Sequence, residues 1–310
     1  MSIMRIIKNK HQEYKWRERF VSFGDEYPDK TFYIIRRRDE NAGLFSYVFT
    51  NLGHIKYAVE NGWIPVVDMM NYPNPYIPKG EHPQNAWECF FEQPCGYKLR
   101  DIERAKNVVL SNGFIPEQYP TYSMFGPNHH GLKRIWKEYF SQYVRFNADV
   151  WEKAEREMGV MPFISESYAV ILRGTDYLKL KPKNHPIQPS IEQAIQQIDS
   201  LMNQWGKAPL FLVTEDHDIV NKMVSHYGQD LNLIERDYLT ESDLEDVTYV
   251  TEVRKNAIND VYIRSIEYIT QIIIASKCKS IIAGLNGGAI ACMLMADSFQ
   301  NEFYFELGYY

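Results

Sequence analysis

Tyr168-Ala-Val-Ile-Leu-Arg-Gly-Thr-Asp-Tyr177, running on to His185-Pro-Ile187, is the stretch that decides how this chain is read. Its apolar and aromatic opening reads as a buried strand. The strand then empties into Arg173, Gly174, Thr175 and Asp176. A cation, a flexible joint, a hydroxyl and a carboxylate at the carboxyl end of a strand suit an anionic ligand better than a core. In open α/β sheets that end is where ligands bind. An ordinary Arg–Asp salt bridge after a strand would leave the same residues, so on this stretch alone the two readings stand level.

Downstream, the α/β rhythm repeats. Ser190 and Gln193 have capping-box spacing just beyond Pro189, and Ile191, Ile195, Ile198 and Met202 continue that helix on one face. Pro209-Leu-Phe-Leu-Val213 reads as a strand ending in Thr214-Glu-Asp216, followed by a helix that exits at Gly228. Leu231–Ile234 is a further short strand, and the polar segment 240–256 is expected to be a mobile loop. A long apolar helix over 258–278, a strand over 280–283, a glycine-rich loop over 284–288 and a helix over 289–296 complete this half.

Upstream, Thr31-Phe-Tyr-Ile-Ile35 is rich in aromatic and β-branched residues, as strands are. A polar turn over 36–43 leads to a helix over 44–61, with apolar residues at 44, 45, 48, 52, 55 and 59 and Gly62 behind it. Trp63-Ile-Pro-Val-Val-Asp68 is a second strand ending in a carboxylate. Strand, loop, helix, strand is a βαβ unit and predicts a parallel sheet. The proline-rich 71–78 is a loop, Val108-Val-Leu110 a strand, and 132–143 and 151–161 helices. Residues 1–23 read as a basic amphipathic helix, a solvated surface element in preference to a membrane-resting one. The expected architecture is α/β, two Rossmann-like domains facing a cleft, with the boundary in the 151–161 helix.

Composition narrows the function. The 310 residues are 45% hydrophobic and 24% charged, as in ordinary globular proteins, and suffice for two medium domains. A net charge of −6 argues against a general nucleic-acid binder. No apolar run approaches a membrane span and no signal-peptide core is evident, so a cytoplasmic protein is expected. The four cysteines form no CxxC pair, and His129-His130 has no ligand partner at metal spacing, so neither a metal site nor a disulfide framework is indicated.

Three βα junctions of the second half carry polar or glycine-rich chemistry: Arg173/Asp176, Thr214/Glu215/Asp216 and Asn286/Gly287/Gly288. In a parallel sheet they share one edge. The glycines let backbone approach a ligand, the following helix offers free N–H groups, and Arg173 can make a bidentate contact to a diphosphate. Each junction has a bland alternative, since Asp216 is also a natural N-cap and Gly-Gly also ordinary turn chemistry. Their convergence favours nucleotide binding, although neither a GxGxxG fingerprint nor a P-loop is present.

Leu172-Arg-Gly-Thr-Asp176 followed by His185-Pro-Ile187 resembles the arginine motif of α-1,6-fucosyltransferases and their protein O-fucosyltransferase and nodulation-factor relatives. There the segment runs His-x-Arg-Arg-x-Asp and then His-Pro-Ile. Leu212-Val-Thr-Glu-Asp216 resembles the family's Ala-Thr-Asp-Asp strand end, and 280–296 its last strand, loop and helix. Gly43-Leu-Phe-Ser46 with Asn51, and 63–68, look like the amino-terminal domain of bacterial members. The resemblance implies a GT-B fold, with residues 1–160 on the acceptor side and 161–310 holding the donor. It further implies a GDP-sugar donor (fucose above all), inversion at the anomeric carbon, no metal ion, and a cell-surface glycan or its lipid-linked precursor as acceptor. Such a role, in polysaccharide biosynthesis, would leave peripheral association with the inner face of a membrane open. By position, Arg173 would hold the β-phosphate with Asp176 and His185 orienting it. Thr214, Glu215 and Asp216 would meet the nucleoside, and Asn286, Gly287 and Gly288 the phosphates. Two positions depart from the pattern: the second arginine is Gly174, with Lys179 or Lys181 the nearest substitutes, and the leading histidine is Ile171. The base that takes the acceptor's proton is open among Asp39, Glu40, Asp68 and Asp176, with Asn51 a further acceptor-side candidate. Two alternatives keep the fold: a transferase for another nucleotide-sugar, and a degenerate protein that binds nucleotide or glycan without turnover.

Overall fold

Runs of β-branched and aromatic residues bury on both faces when helices cover a parallel sheet, and the central strands of both sheets of this protein are parallel and rich in such residues. The computed structural model describes residues 15–38, 40–77, 84–125, 130–253 and 260–310, with His130, Asp176 and Leu178 described by their backbone alone. The chain divides into two compact units, one of Met1–Thr121 with Arg134–Asn147, the other of Tyr122–Lys133 with Ala148–Tyr310.

In the first unit β2 (Glu26–Ile35) is central. Helix α1 (Leu44–Glu60) crosses over to β3 (Ile64–Val67), which lies parallel to β2 with Phe32 opposite Ile64. Strand β4 (Ala105–Leu110) adds in parallel on the other flank. Arg19–Val21, expected to be helical, is instead an edge strand, β1, antiparallel to β4. Pairing Phe20 against Val109 satisfies the backbone of β4's free edge, which the local basic pattern of 15–19 could not reveal. Residues 1–14 of the expected helix lie outside the described residues. At the carboxyl edge, Arg36 is buried and spent on backbone: it donates to the carbonyls of Ser111, Lys15 and Arg17.

The second unit contains α3 (Ala148–Gly159), β5 (Tyr168–Ile171) and the six-residue α4 (Thr175–Leu180), preceded by α2 (His130–Tyr143), which runs from one unit into the other. After α4 come α5 (Ile191–Trp205), β6 (Leu210–Val213), α6 (His217–Tyr227), β7 (Leu231–Asn232) and α7 (Asp260–Ala275). The unit closes with β8 (Ser280–Gly284), α8 (Gly287–Met295) and β9 (Glu302–Phe305). Its sheet is parallel throughout, in the order β7-β6-β5-β8-β9. Strand order therefore reverses between β5 and β8, the crevice at which doubly wound sheets bind ligands. The Ser190–Gln193 capping box is formed, the Ser190 side chain accepting from Gln193 N–H at 3.2 Å. Two expectations change. Residues 240–253 are anchored, not loose, because Leu239, Leu244 and Val253 bury a small cluster of their own. Helix α8 starts at Gly287 and not Ala289, because Asn286 caps it by accepting from Ala289 N–H at 3.0 Å. Among the described residues no helix is long and apolar enough to cross a membrane.

His54 fastens α1 to its sheet. Its ring is buried, Nδ1 lying 3.1 Å from the Tyr33 hydroxyl and Nε2 3.0 Å from the Phe114 carbonyl. A neutral imidazole serves both, and burial pulls its pKa down to about 4. The unfolded chain thus takes up a proton near pH 6.5 that the folded chain refuses until about pH 4. Stability tied to His54 is present above pH 6.5 and is lost as the pH falls. Between pH 7 and 4.5 the wild type is expected to lose about 2–3 kcal/mol more than His54→Gln, read by urea denaturation at the two pH values.

Candidate functional site

The carboxyl ends of β5, β6 and β8 lie level, with Ile171 opposite both Val213 and Ala283. Each strand ends in a buried apolar residue and hands over to a polar one. Leu172 is the last buried residue before Arg173, and Thr214 follows Val213 with its side chain buried. The three junctions singled out in the sequence therefore stand side by side at the switch point.

Asp216 joins the first two. Its Oδ1 accepts from the N–H groups of Asp218 (2.8 Å) and Ile219 (3.1 Å), capping α6. Its Oδ2 accepts the N–H of Thr175 across the sheet edge at 3.0 Å. Thr175 has φ +52°, a left-handed conformation that a β-branched residue adopts only under constraint. The constraint is visible: the Asp216 carboxylate takes its backbone, and its hydroxyl donates to Glu215 Oε1 at 2.7 Å. Thr214 Oγ1 accepts the N–H of Asp216 at 3.2 Å, fixing the turn from inside. Strain of this order, about 1–3 kcal/mol, persists where surrounding structure over-determines it.

Arg173 stands over Tyr177, its guanidinium carbon 5.0 Å from the ring centroid. The Tyr177 hydroxyl is 2.6 Å from His185 Nδ1 and 3.3 Å from the Tyr122 hydroxyl. Burial, and secondarily the charge of Arg173, lowers the His185 pKa and so favours the neutral ring in this contact. The backbone holds His185 in place: Tyr310 N–H donates to the His185 carbonyl and Ile187 N–H to the Gly308 carbonyl. Gln188 then ties this segment to the third junction, donating to the Leu285 carbonyl at 2.9 Å and accepting from Asn286 Nδ2 at 3.4 Å. At the start of α8, a Cβ on Gly288 would sit 2.5 Å from the Tyr268 hydroxyl, so the tyrosine occupies the space that glycine leaves. Burial pushes the Tyr268 phenol up, and Arg173 pulls it the other way. Tyr122, Tyr177, Gln188 and Tyr268 have no role in the sequence reading; the partners of Tyr122, Gln188 and Tyr268 are distant in sequence, and Tyr177 meets Arg173 only because of the turn at 174–175.

The remaining candidates are placed as follows. Asp176 is the second residue of α4, and its side chain lies outside the described ones, as does the whole of Asp39. Glu40 is exposed, and its carbonyl accepts from the Tyr47 hydroxyl. Asn51 is buried on α1, its Nδ2 3.9 Å from Met69 Sδ. Asp68 is buried and accepts from the N–H groups of Met70 and Asn71 and from Asn71 Nδ2. Lys179 donates to the Leu244 carbonyl at 3.0 Å, and Lys181 is exposed at the end of α4. His129 lies outside the described residues. Among the described residues no group of three or more His, Cys, Asp and Glu is set to hold a metal ion.

A parallel doubly wound sheet with a polar switch point, paired with a second Rossmann-like unit, defines an α/β fold of the GT-B type. Solved structures of similar fold include fucosyltransferases. POFUT1 in complex with GDP aligns over 90% of this chain and 99% of its own, with a TM-score of 0.53 and 12% identity. NodZ α-1,6-fucosyltransferase co-crystallised with GDP aligns over 86% and 93%, with a TM-score of 0.51 and 13% identity. Fucosyltransferase NodZ from Bradyrhizobium gives the same coverage at a TM-score of 0.50. At such identities the likeness is one of fold. No family model matches the chain, and no curated protein matches it in sequence.

Gly174, where the resembling motif carries a second arginine, has a physical cause here. A Cβ at this position would fall well inside van der Waals contact of the Asp216 carboxylate, which three backbone N–H groups hold in place. The carboxylate cannot swing aside without uncapping α6 and releasing Thr175. Gly174→Ala is therefore expected to destabilise the protein by about 1–3 kcal/mol, the usual cost of overpacking, read as a lowered denaturation midpoint. An unchanged midpoint would mean that the Asp216 bridge is not rigid.

Proposed function

We propose that this protein is an inverting, metal-independent glycosyltransferase that moves fucose from GDP-fucose to a cell-surface glycan or its lipid-linked precursor. The observation that carries the reading is the assembly of Arg173, the Thr214–Asp216 turn and the Asn286-capped start of α8 at one switch point. The fold shared with fucosyltransferases solved with GDP supports it.

In this reading the acceptor oxygen attacks the anomeric carbon, and the bond from that carbon to the β-phosphate oxygen breaks. Negative charge then grows on the departing GDP, where a preoriented cation stabilises it most. Arg173 supplies that cation and can grip two phosphate oxygens at once. The first amides of α8 at Gly287 and Gly288 add the positive end of a helix dipole. Glu215 and the Asp216 turn face the nucleoside, while His185 acts through Tyr177 and Asp176 from the first turn of α4. The acceptor's proton passes to a carboxylate base. Asp39, Glu40, Asp68 and Asp176 are the candidates, and of these Asp68 already accepts from the N–H groups of Met70 and Asn71 and from Asn71 Nδ2. Residues 161–310 would form the donor domain and 1–160 the acceptor side, the protein working in the cytoplasm at the inner face of the membrane. The place of the second arginine is filled by Asp216, which favours as second reading a protein that binds the nucleotide without turnover.

GDP at about a hundred times its dissociation constant is expected to stabilise the protein by roughly 2.7 kcal/mol, with UDP and ADP far weaker in calorimetry. Arg173→Ala is expected to lose about 10²–10³-fold in turnover of GDP-fucose while folding normally, with chelator leaving the wild type active. Wild-type transfer by Arg173→Ala refutes the phosphate role. Tight GDP binding without transfer or donor hydrolysis across acceptors selects the second reading.

A further inference from the structure

The resembling motif sets two adjacent arginines at the end of its strand, whereas here a single guanidinium leaves β5. An arginine side chain carries about 2 kcal/mol of rotamer entropy, which an anion would have to remove on binding unless the protein has removed it already. Tyr177, four residues on, does so. Because the chain turns sharply at Gly174 and Thr175 into α4, the Tyr177 ring comes back beneath Arg173 with 5.0 Å between guanidinium carbon and ring centroid.

The ring is itself held in several ways. Its hydroxyl meets His185 Nδ1 at 2.6 Å and the Tyr122 hydroxyl at 3.3 Å. The Tyr177 and His185 rings also stand edge to face, with centroids 5.5 Å apart. The His185 backbone is fastened to Tyr310, and two residues on Ile187 is fastened to Gly308. Rigidity therefore passes from paired backbone to imidazole, from imidazole to phenol, and from phenol to the face on which the cation rests. We infer that Tyr177 is the positioning residue for Arg173: its ring presets the guanidinium for a diphosphate, and the His185–Tyr122 tether presets the ring. The inference rests on the reading of Arg173 as the phosphate cation, but the packing of Arg173 on Tyr177 can be tested without any ligand.

Two readouts separate the two claims. In calorimetry with GDP, Tyr177→Leu is expected to weaken binding by about 3–30-fold, the range for a cation–π contact. The same change in an Arg173→Ala background is expected to alter binding by less than about 2-fold, because the two residues act as one unit. Additive losses, or GDP affinity unchanged by Tyr177→Leu while Arg173→Ala weakens it, overturn the inference. A tyrosine that merely packs the loop would give additivity. Without nucleotide, the rate at which phenylglyoxal modifies Arg173, read by mass spectrometry of its peptide, is expected to rise at least about 3-fold in Tyr177→Leu. Tyr177→Phe, which keeps the ring and removes its tether, is expected to lie between. If the wild type binds no GDP, the function reading fails and the modification rates alone decide. Should the leucine variant not fold, the phenylalanine variant decides in its place. Rates equal to wild type overturn the inference in either case.

Discussion

The carboxylate of Asp216 is the contact on which the rest of the site depends. With one oxygen it caps α6, and with the other it holds Thr175 across the sheet edge in a left-handed conformation. That hold turns the chain out of β5 into α4, and the turn brings Tyr177 under Arg173. The same carboxylate leaves no room for a side chain at 174. One short acidic side chain thus accounts for the glycine, the strained threonine and the stacked arginine together.

Arg36 in the first unit and Arg173 in the second follow the central strands of their sheets, and they are used differently. Arg36 is buried among backbone carbonyls, a fully satisfied structural cation that closes its sheet edge. Arg173 lies on an aromatic face, which attracts a cation without matching the planar hydrogen-bonding geometry of a guanidinium as an anion does. Near Thr214, burial dominates the charges of a second group: Arg236 pairs with Glu267 at 3.4 Å and donates to Gln271, and burial pushes the Glu267 carboxyl up. None of these uses could be told from the residue type alone.

Local chemistry was legible in the sequence where it acts over a few residues. The Ser190–Gln193 box and the βαβ crossover follow from spacing, and Asp216 was readable as an N-cap. The errors came where distant pairing overrides local preference. Arg19–Val21 is a strand because β4 offers an edge to Phe20 and Val21, a distant pairing that outweighs the basic pattern around them. Glu302–Phe305 is a further strand that the sequence reading lacks, formed by parallel pairing with β8. The polar 240–253 segment hides two buried apolar anchors, Leu244 and Val253, among its acidic residues, and they pack with Leu239. At the site, Arg173 was legible as a strand-end cation. The reason for Gly174 was not, since it lies in Asp216, and the roles of Gln188 and Tyr268 likewise depend on residues distant in sequence.

The most direct test is a crystal structure of the full chain grown with GDP. The diphosphate is expected at the β5–β8 switch point, with a β-phosphate oxygen within about 3 Å of the Arg173 guanidinium and another facing the amides of Gly287 and Gly288. Arg173 is expected to remain over Tyr177. GDP bound elsewhere, or at this edge with Arg173 turned away from the phosphates, would contradict this placement.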